Sequence, residues 1–169
     1  MKKMLRYLNL ATIILFMFCF GTGCKNLNEN TYAEQYLKLN SLELYNPYNR
    51  STPTKSDYII TKYLNVSCPN CVRDIKQLSA VGKRLPNCKI RLVCQSEDKF
   101  LYFRFLIDEN KFSQTDFPFL LDTGNVFSKN NPELKMDLSK VVIITNNKDK
   151  ILKVVALNEK LIEKTINEL

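Results

Sequence analysis

Cys68 and Cys71 form a Cys-Pro-Asn-Cys motif, and their spacing suits thiol chemistry better than any other pair in this 169-residue chain. The residues from Tyr58 onward alternate as a strand, and Pro69 suits the first turn of a following helix, so the motif is predicted at a strand-to-helix junction. There the unpaired N–H groups and the positive end of the helix dipole favour a thiolate at Cys68. Disulfide exchange needs one thiolate that attacks and a second thiol that resolves the mixed disulfide, the roles predicted for Cys68 and Cys71.

The same pair has two other interpretations, a structural disulfide and half of a metal site. The chain contains no histidine, which excludes Cys-His and Ser-His-Asp catalysis and every zinc site that needs an imidazole. Cys88 and Cys94 belong to another predicted strand, where their shared parity places both on the core face. Six residues of strand separate them by about 20 Å, beyond disulfide reach. The pattern therefore favours a redox pair and predicts no metal site.

The elements predicted around the motif alternate between strands and helices. A strand over residues 58–66 leads into a helix that ends near Leu85. The later elements are predicted as a strand over 88–94, a helix over 97–109, a strand over 117–121, a strand over 141–145 with a hairpin partner over 150–156, and a helix from about Asn158. The apolar residues predicted to face the sheet from that last helix are Leu157, Leu161, Ile162 and Ile166.

The first two dozen residues have the pattern of an export signal. A positively charged start precedes an apolar run over residues 10–20, which is shorter than the roughly 20 residues of a membrane span. The following Gly-Thr-Gly-Cys resembles a bacterial lipobox, which implies a signal peptide over residues 1–23 and lipid attachment at Cys24. An uncleaved anchor helix is the alternative, and either one places the folded part outside the cytoplasm.

Residues 24–57 are predicted to be a tether and N-terminal extension, because they are rich in Asn, Ser, Thr and Tyr. Thr31 and Glu34 fit a capping box that would open a helix. Residues 37–39 and 42–44 equally fit a short hairpin.

The element order and the segment YIITKYLNVSCPNC over residues 58–71 resemble thioredoxin-like proteins of the TlpA type. The segment FPFLLD over residues 117–122 is similar to a strand often inserted in that group, and VVIITNNKDKILKVV matches its late hairpin in layout. The resemblance covers residues 58–169 and implies an α/β, thioredoxin-like fold with a central mixed sheet flanked by helices. It also implies a thiol-disulfide oxidoreductase that uses Cys68 and Cys71 and needs no cofactor.

The chain departs from that family at two supporting positions. Ser67 stands where an aromatic residue, often Trp, usually precedes the first cysteine, and the chain has no Trp. Ser139 and Lys140 stand where the family has a cis-proline that helps to bind the substrate backbone.

Lys62 is a third departure, because the family often has a buried acid at this place in the strand. Alternation puts Lys62 on one face with Ile60 and Leu64. Near the sulfurs, its charge would favour the thiolate and tune the pKa of the pair toward the oxidising end. Alternatively, it points to water at a sheet edge and has no such effect.

These features predict a membrane-anchored monomer that exchanges disulfides with protein disulfide or dithiol substrates in the cell envelope, on the periplasmic side. The alternative is a non-catalytic binding module with a structural Cys68–Cys71 disulfide. The formal charge is +8, or about +5 without the signal, and no nucleic-acid module is recognisable, so no nucleic-acid partner is expected. Copper delivery is disfavoured because such relatives pair their cysteines with a histidine.

Overall fold

A computed structural model describes residues 32, 34–45, 56–65, 70–95 and 119–169. In chain order its elements are β1 (Glu43–Tyr45), β2 (Tyr58–Asn65), α1 (Cys71–Arg84), β3 (Cys88–Gln95), β4 (Phe119–Asp122), α2 (Val126–Asn130), a 3-10 turn (Leu138–Lys140), β5 (Val141–Asn146), β6 (Ile151–Ala156) and α3 (Glu159–Asn167). The signal segment, Cys24, Cys68 and the predicted helix over 97–109 lie outside the described residues.

The strands of the described residues form one mixed sheet in the order β1-β4-β3-β2-β5-β6. β2 pairs in parallel with β3, and β3 with β4, whereas β5 pairs antiparallel with both β2 and β6. β1 pairs antiparallel with β4 at one edge. The predicted fold class, a central mixed sheet flanked by helices, is confirmed, and β2 lies in the interior of the sheet.

The helices α1 and α3 cover one face of the sheet. Apolar residues of α1 recur at helical spacing, and Ile75, Leu78 and Val81 are all at most 2% exposed. They join Ile162 and Ile166 of α3 and the inward residues of the strands in one buried cluster. Each such side chain stabilises the fold by about 1.5–3 kcal/mol. This packing fixes the position of α1, and therefore of Cys71, against the end of β2.

The opposite face carries a second cluster formed by the strand residues of the other parity, such as Val93 and Ile143, with Phe127 of α2. Residues 34–45, here called the N-terminal strap, complete it. Leu37 is 4% exposed, and its N–H donates to the Asp149 carbonyl at 2.8 Å. Farther along, the strap ends in β1, which pairs with β4. The strap therefore runs from the β5–β6 turn to the opposite edge of the sheet.

The strap is neither of the two structures predicted for it. Glu34 has a φ of 74°, which is left-handed and incompatible with a helix opening there. Residues 43–45 pair with β4 rather than with residues 37–39, so no hairpin forms within the strap. Both predictions were wrong because the strap takes its conformation from distant parts of the chain.

Most other predicted elements are confirmed to within two residues. β2, β3, β5 and β6, together with α1 and α3, occupy the predicted ranges. In α3, Ile162 and Ile166 are buried as predicted, but Leu161 is 39% exposed, so its placement on the buried stripe was wrong. Among the described residues, no helix combines the length and apolar character that a membrane span requires.

Candidate active site

Cys71 is the first residue of α1, immediately after the N-cap residue Asn70. The Asn70 carbonyl accepts the first helical hydrogen bond from the Asp74 N–H at 3.0 Å. β2 ends at Asn65, so only a short connection separates the interior strand from the helix. Cys71 itself is 4% exposed. The predicted strand-to-helix junction is thus confirmed on both sides of the motif, while Cys68 lies outside the described residues.

An open pocket of about 340 Å³ lies at this junction. Its lining combines the end of β2, the first turn of α1 and the 3-10 turn before β5. The lining residues that matter below are Tyr63, Cys71, Arg73, Asp74, Ser139 and Lys140. Ser139 and Lys140, which the sequence placed where the family has its cis-proline, therefore do lie beside the cysteine motif, and every described peptide bond is trans.

Lys62 of β2 is completely buried. Its ammonium donates to the carbonyls of Leu138 and Val141, each at 3.3 Å, and to the carbonyl of Ser139. These carbonyls belong to the 3-10 turn and the start of β5. The interpretation of Lys62 as a solvated residue at a sheet edge was wrong, because β2 has neighbours on both sides and α1 lies over this face. Lys62 instead stabilises, through these hydrogen bonds, the turn that lines one side of the pocket.

Asp74 connects Lys62 to the pocket. One carboxylate oxygen lies 3.9 Å from the Lys62 ammonium and the other lies 3.8 Å from the Arg73 guanidinium. The side chain is 11% exposed, and desolvation by burial raises the pKa of Asp74 while the charges of Lys62 and Arg73 oppose that rise. Sequence reasoning missed Asp74, although its position three residues after Cys71 places both on one helix face.

Asp137 caps the 3-10 turn. Its carboxylate accepts from the Ser139 N–H at 3.1 Å and from the Ser139 hydroxyl, and it pairs with the Lys140 ammonium at 3.0 Å. Hydrogen bonds from Ser139 and Lys140 lower the pKa of Asp137 to about 2. Hydrogen bonds from the buried Lys62 therefore stabilise the turn on its buried side, and the contacts of Asp137 stabilise it on its exposed side.

Cys88 and Cys94 are thiols on β3. Cys94 is fully buried, and desolvation raises its pKa, with a further increase from the charge of Cys71. Burial and the Asp57 carboxylate raise the pKa of Cys88 to about 11. The prediction that both face the core is confirmed, and at neutral pH neither supplies a thiolate. Within the described part of the chain, no three acidic or cysteine side chains converge in a way that could hold a metal ion.

The sheet order, the covering helices and the cysteine at the start of α1 define a thioredoxin-like fold, and solved structures agree. The chain superposes on StoA from Bacillus subtilis with a TM-score of 0.51 and 20% identity, covering 66% of this chain and 84% of that one. The exposed lipoprotein thioredoxin Etrx1 from Streptococcus pneumoniae gives a TM-score of 0.53 at 14% identity, covering 68% and 87%. The thioredoxin domain of a thiol-disulfide oxidoreductase from Bacteroides vulgatus gives 0.52 at 15%, covering 67% and 81%.

Sequence comparison adds nothing to this structural likeness. No protein-family model matches the chain, and no curated protein is significantly similar to it. At these identities the likeness establishes the thioredoxin-like fold, and the chemistry of the chain has to be argued from its own residues.

Proposed function

We propose that this chain is a thiol-disulfide oxidoreductase that acts on cysteines of exported proteins through Cys68 and Cys71. The observation that carries the proposal is the position of Cys71, buried at the first residue of α1 and lining an open pocket at the end of an interior strand. A helix N-terminus stabilises thiolates, and an open pocket beside it admits a substrate disulfide.

In the reducing direction, the Cys68 thiolate attacks one sulfur of a substrate disulfide. The substrate S–S bond breaks, one substrate thiolate leaves, and a mixed disulfide joins Cys68 to the substrate. Cys71 then loses its proton and attacks the Cys68 sulfur, which releases the second substrate thiol and leaves a Cys68–Cys71 disulfide. Two electrons pass from the pair to the substrate, and the same steps in reverse oxidise a substrate dithiol.

Burial suits Cys71 to the resolving role. A cysteine residue that is only 4% exposed reaches external disulfides poorly but can attack a neighbouring residue of the same motif. Cys88 and Cys94 do not compete, because burial raises the pKa of each thiol.

Lys62 enters the proposal as the residue that tunes the pKa of the pair. Its buried ammonium lies 3.9 Å from Asp74, which lines the pocket together with Cys71. A positive charge in this low-dielectric region favours a thiolate over a thiol, so it shifts the pair toward the oxidising end.

The proposed setting is the cell envelope. Lipid attachment at Cys24 after removal of residues 1–23 would hold the monomer at a membrane, on the periplasmic side, where disulfides persist. The structural similarity to an exposed lipoprotein of Streptococcus pneumoniae supports this setting.

A non-catalytic binding module is the second candidate. The turn beside Cys71 favours this candidate, because Ser139 and Lys140 stand where the proline is expected. In addition, the backbone carbonyls of residues 138, 139 and 141 already accept hydrogen bonds from the Lys62 ammonium. In that case the Cys68–Cys71 disulfide only joins the start of the helix to the preceding loop.

Reduction of insulin by the full chain, purified in mild detergent and supplied with dithiothreitol, separates the two candidates. The oxidoreductase proposal predicts faster insulin precipitation than with dithiothreitol alone and loss of that activity in Cys68→Ser. Reduced Cys71→Ser, freed of dithiothreitol before insulin is added, is expected to accumulate a mixed disulfide at Cys68. Cys88→Ser is the matched control and should retain activity. Wild-type turnover equal to that of dithiothreitol alone, with a Cys68–Cys71 disulfide that resists the reductant, would favour the binding module instead.

A further inference from the structure

The carbonyls of the turn beside Cys71 are already engaged within the protein. Those of residues 138, 139 and 141 accept from the Lys62 ammonium. The carbonyl of Lys140 accepts from the Leu157 N–H at 2.9 Å. An ammonium has three N–H donors, which matches the three carbonyls that it reaches here. A substrate peptide that paired its backbone N–H groups with this turn would therefore compete with a buried charge.

Two N–H groups of the turn are engaged as well. The Ser139 N–H donates to the Asp137 carboxylate at 3.1 Å, and the Lys140 N–H donates to the Asp137 carbonyl at 3.0 Å. Addition of a substrate strand depends on main-chain donors and acceptors that face the substrate. The carbonyls of residues 138–141 and the N–H groups of residues 139 and 140 are thus committed to intramolecular partners, which favours recognition through side chains.

Two cationic side chains extend from the pocket lining into solvent. Arg73 of α1 is 72% exposed and Lys140 of the turn is 80% exposed, and both line the pocket. The acidic groups that pair with these cations in the described part of the chain are Asp74, which is 11% exposed and lies between Lys62 and Arg73, and Asp137, which pairs with Lys140. Among the described residues, these three positive and two negative groups sum to one excess positive charge, and Arg73 and Lys140 are the most exposed of the five.

We propose that the site selects disulfides whose cysteines are flanked by acidic side chains, which Arg73 and Lys140 bind as carboxylates. The inference rests on the proposed function, because it names the substrate class of the same pocket. Guanidinium and ammonium groups bind carboxylates with charge-assisted hydrogen bonds, Arg often in a bidentate way. Complementary charge also raises the rate of encounter, so selectivity is expected in kcat/KM and is expected to weaken as salt is added.

Three disulfide-bridged peptides test this selectivity, identical except that the residues flanking each cysteine are Glu, Gln or Lys. Reduction of each by the full chain in detergent, with dithiothreitol regenerating the Cys68–Cys71 dithiol, is followed at low salt. The kcat/KM of the acidic peptide is expected to exceed that of the neutral peptide by on the order of tenfold, and that of the basic peptide is expected to be lower than both. In 0.5 M salt the three values of kcat/KM are expected to become similar.

Matched variants locate the origin of the preference. The double variant Arg73→Gln/Lys140→Gln should reduce the acidic and the neutral peptide with equal kcat/KM, so that the wild-type ratio of the two values is lost. Both peptides are measured with the same variant. The double variant Lys83→Gln/Lys164→Gln removes the same charge from exposed residues of α1 and α3 outside the pocket lining and should keep the ratio. Equal turnover of the three peptides by the wild-type chain, or a ratio that survives in Arg73→Gln/Lys140→Gln, overturns the inference.

Backbone recognition is tested by N-methylation of the acidic peptide at the residue after its reactive cysteine. The change should leave kcat/KM within about twofold, because strand addition to the turn is not used. A loss on the order of a hundredfold would show backbone pairing and contradict the inference. If the wild-type chain reduces none of the peptides faster than Cys68→Ser does, the proposed function itself fails, and the selectivity fails with it.

Discussion

At the scale of single residues, Lys62 is the most unusual feature of the chain. A lysine that is 0% exposed is rare, because burial of a charge is costly unless it is paired and hydrogen-bonded. Here three carbonyls accept from the ammonium, and the Asp74 carboxylate lies 3.9 Å away. Strand alternation predicted the face that Lys62 occupies. Its carbonyl partners are 76 to 79 residues later in the chain, and no local pattern reveals them.

Replacement of Lys62 tests how much these contacts contribute. Lys62→Met is expected to lower the free energy of unfolding by about 3 kcal/mol, because the carbonyls lose a buried donor and Asp74 loses a neighbouring charge. Urea unfolding followed by circular dichroism measures the change. Lys140→Met, at an 80% exposed position, is the control and should stay within about 0.5 kcal/mol of the wild type. A Lys62→Met variant as stable as the wild type would contradict this account of Lys62.

The two cysteines of β3 give a prediction about pH. In the reduced folded chain at pH 8, iodoacetamide should leave Cys88 and Cys94 almost unmodified, because burial raises the pKa of both thiols. The modification rate of Cys88 should rise about tenfold per pH unit until the pH nears its pKa of about 11. Mass spectrometry of each cysteine measures the rates, and chain unfolded in urea is the control. Modification of Cys88 at pH 8 as fast as in urea would show that the thiol is not protected by the fold.

At the scale of elements, one buried side chain binds the middle of the N-terminal strap. Asn131, which is 2% exposed, accepts from the Lys38 N–H at 2.8 Å and donates to the Lys38 carbonyl at 2.9 Å. It also donates to the Phe127 carbonyl at 2.8 Å. The Asn131 amide thus pairs with both backbone groups of Lys38, as the backbone of an adjacent strand would, and links the strap to α2.

Asn131→Ala is therefore expected to destabilise the chain by about 2–3 kcal/mol, because it removes one buried and two partly buried hydrogen bonds and leaves the Lys38 backbone groups unpaired. Asn130→Ala is the matched control, since that side chain makes a single exposed bond to the Asn40 carbonyl and its loss should cost less than about 1 kcal/mol. Urea unfolding measures both variants, and limited proteolysis reports release of the strap. Equal stability of the two variants would mean that Asn131 does not hold the strap.

The strap also shows where prediction of elements from sequence stops. Strands such as β2 and β5 and the helix α1 were predictable, because their periodicity is local and their ends carry capping or turn residues. Residues 34–45 carry no such pattern. Their conformation depends on distant partners, among them Asn131 and Asp149, which lie more than 90 residues farther along the chain, and the strand β4.

At the scale of the whole molecule, the sheet brings three distant segments to one place. The end of β2, the start of α1 and the turn before β5 meet at the pocket that contains Cys71. The motif and element order were sufficient to predict this meeting point, and structural similarity at 14–20% identity agrees with the fold. The charges around the pocket were not predictable to the same degree, because Lys62, Asp74 and Lys140 come from three different elements.

A redox titration of the full chain tests whether Cys68 and Cys71 are a reversible redox pair. Samples equilibrated in glutathione buffers of graded potential are alkylated, and mass spectrometry reports the state of each cysteine. Cys68 and Cys71 are expected to convert together between dithiol and disulfide as one two-electron couple, while Cys88 and Cys94 remain thiols throughout. A Cys68–Cys71 disulfide that persists at every potential, or separate glutathione adducts on the two cysteines with no disulfide between them, would contradict this expectation.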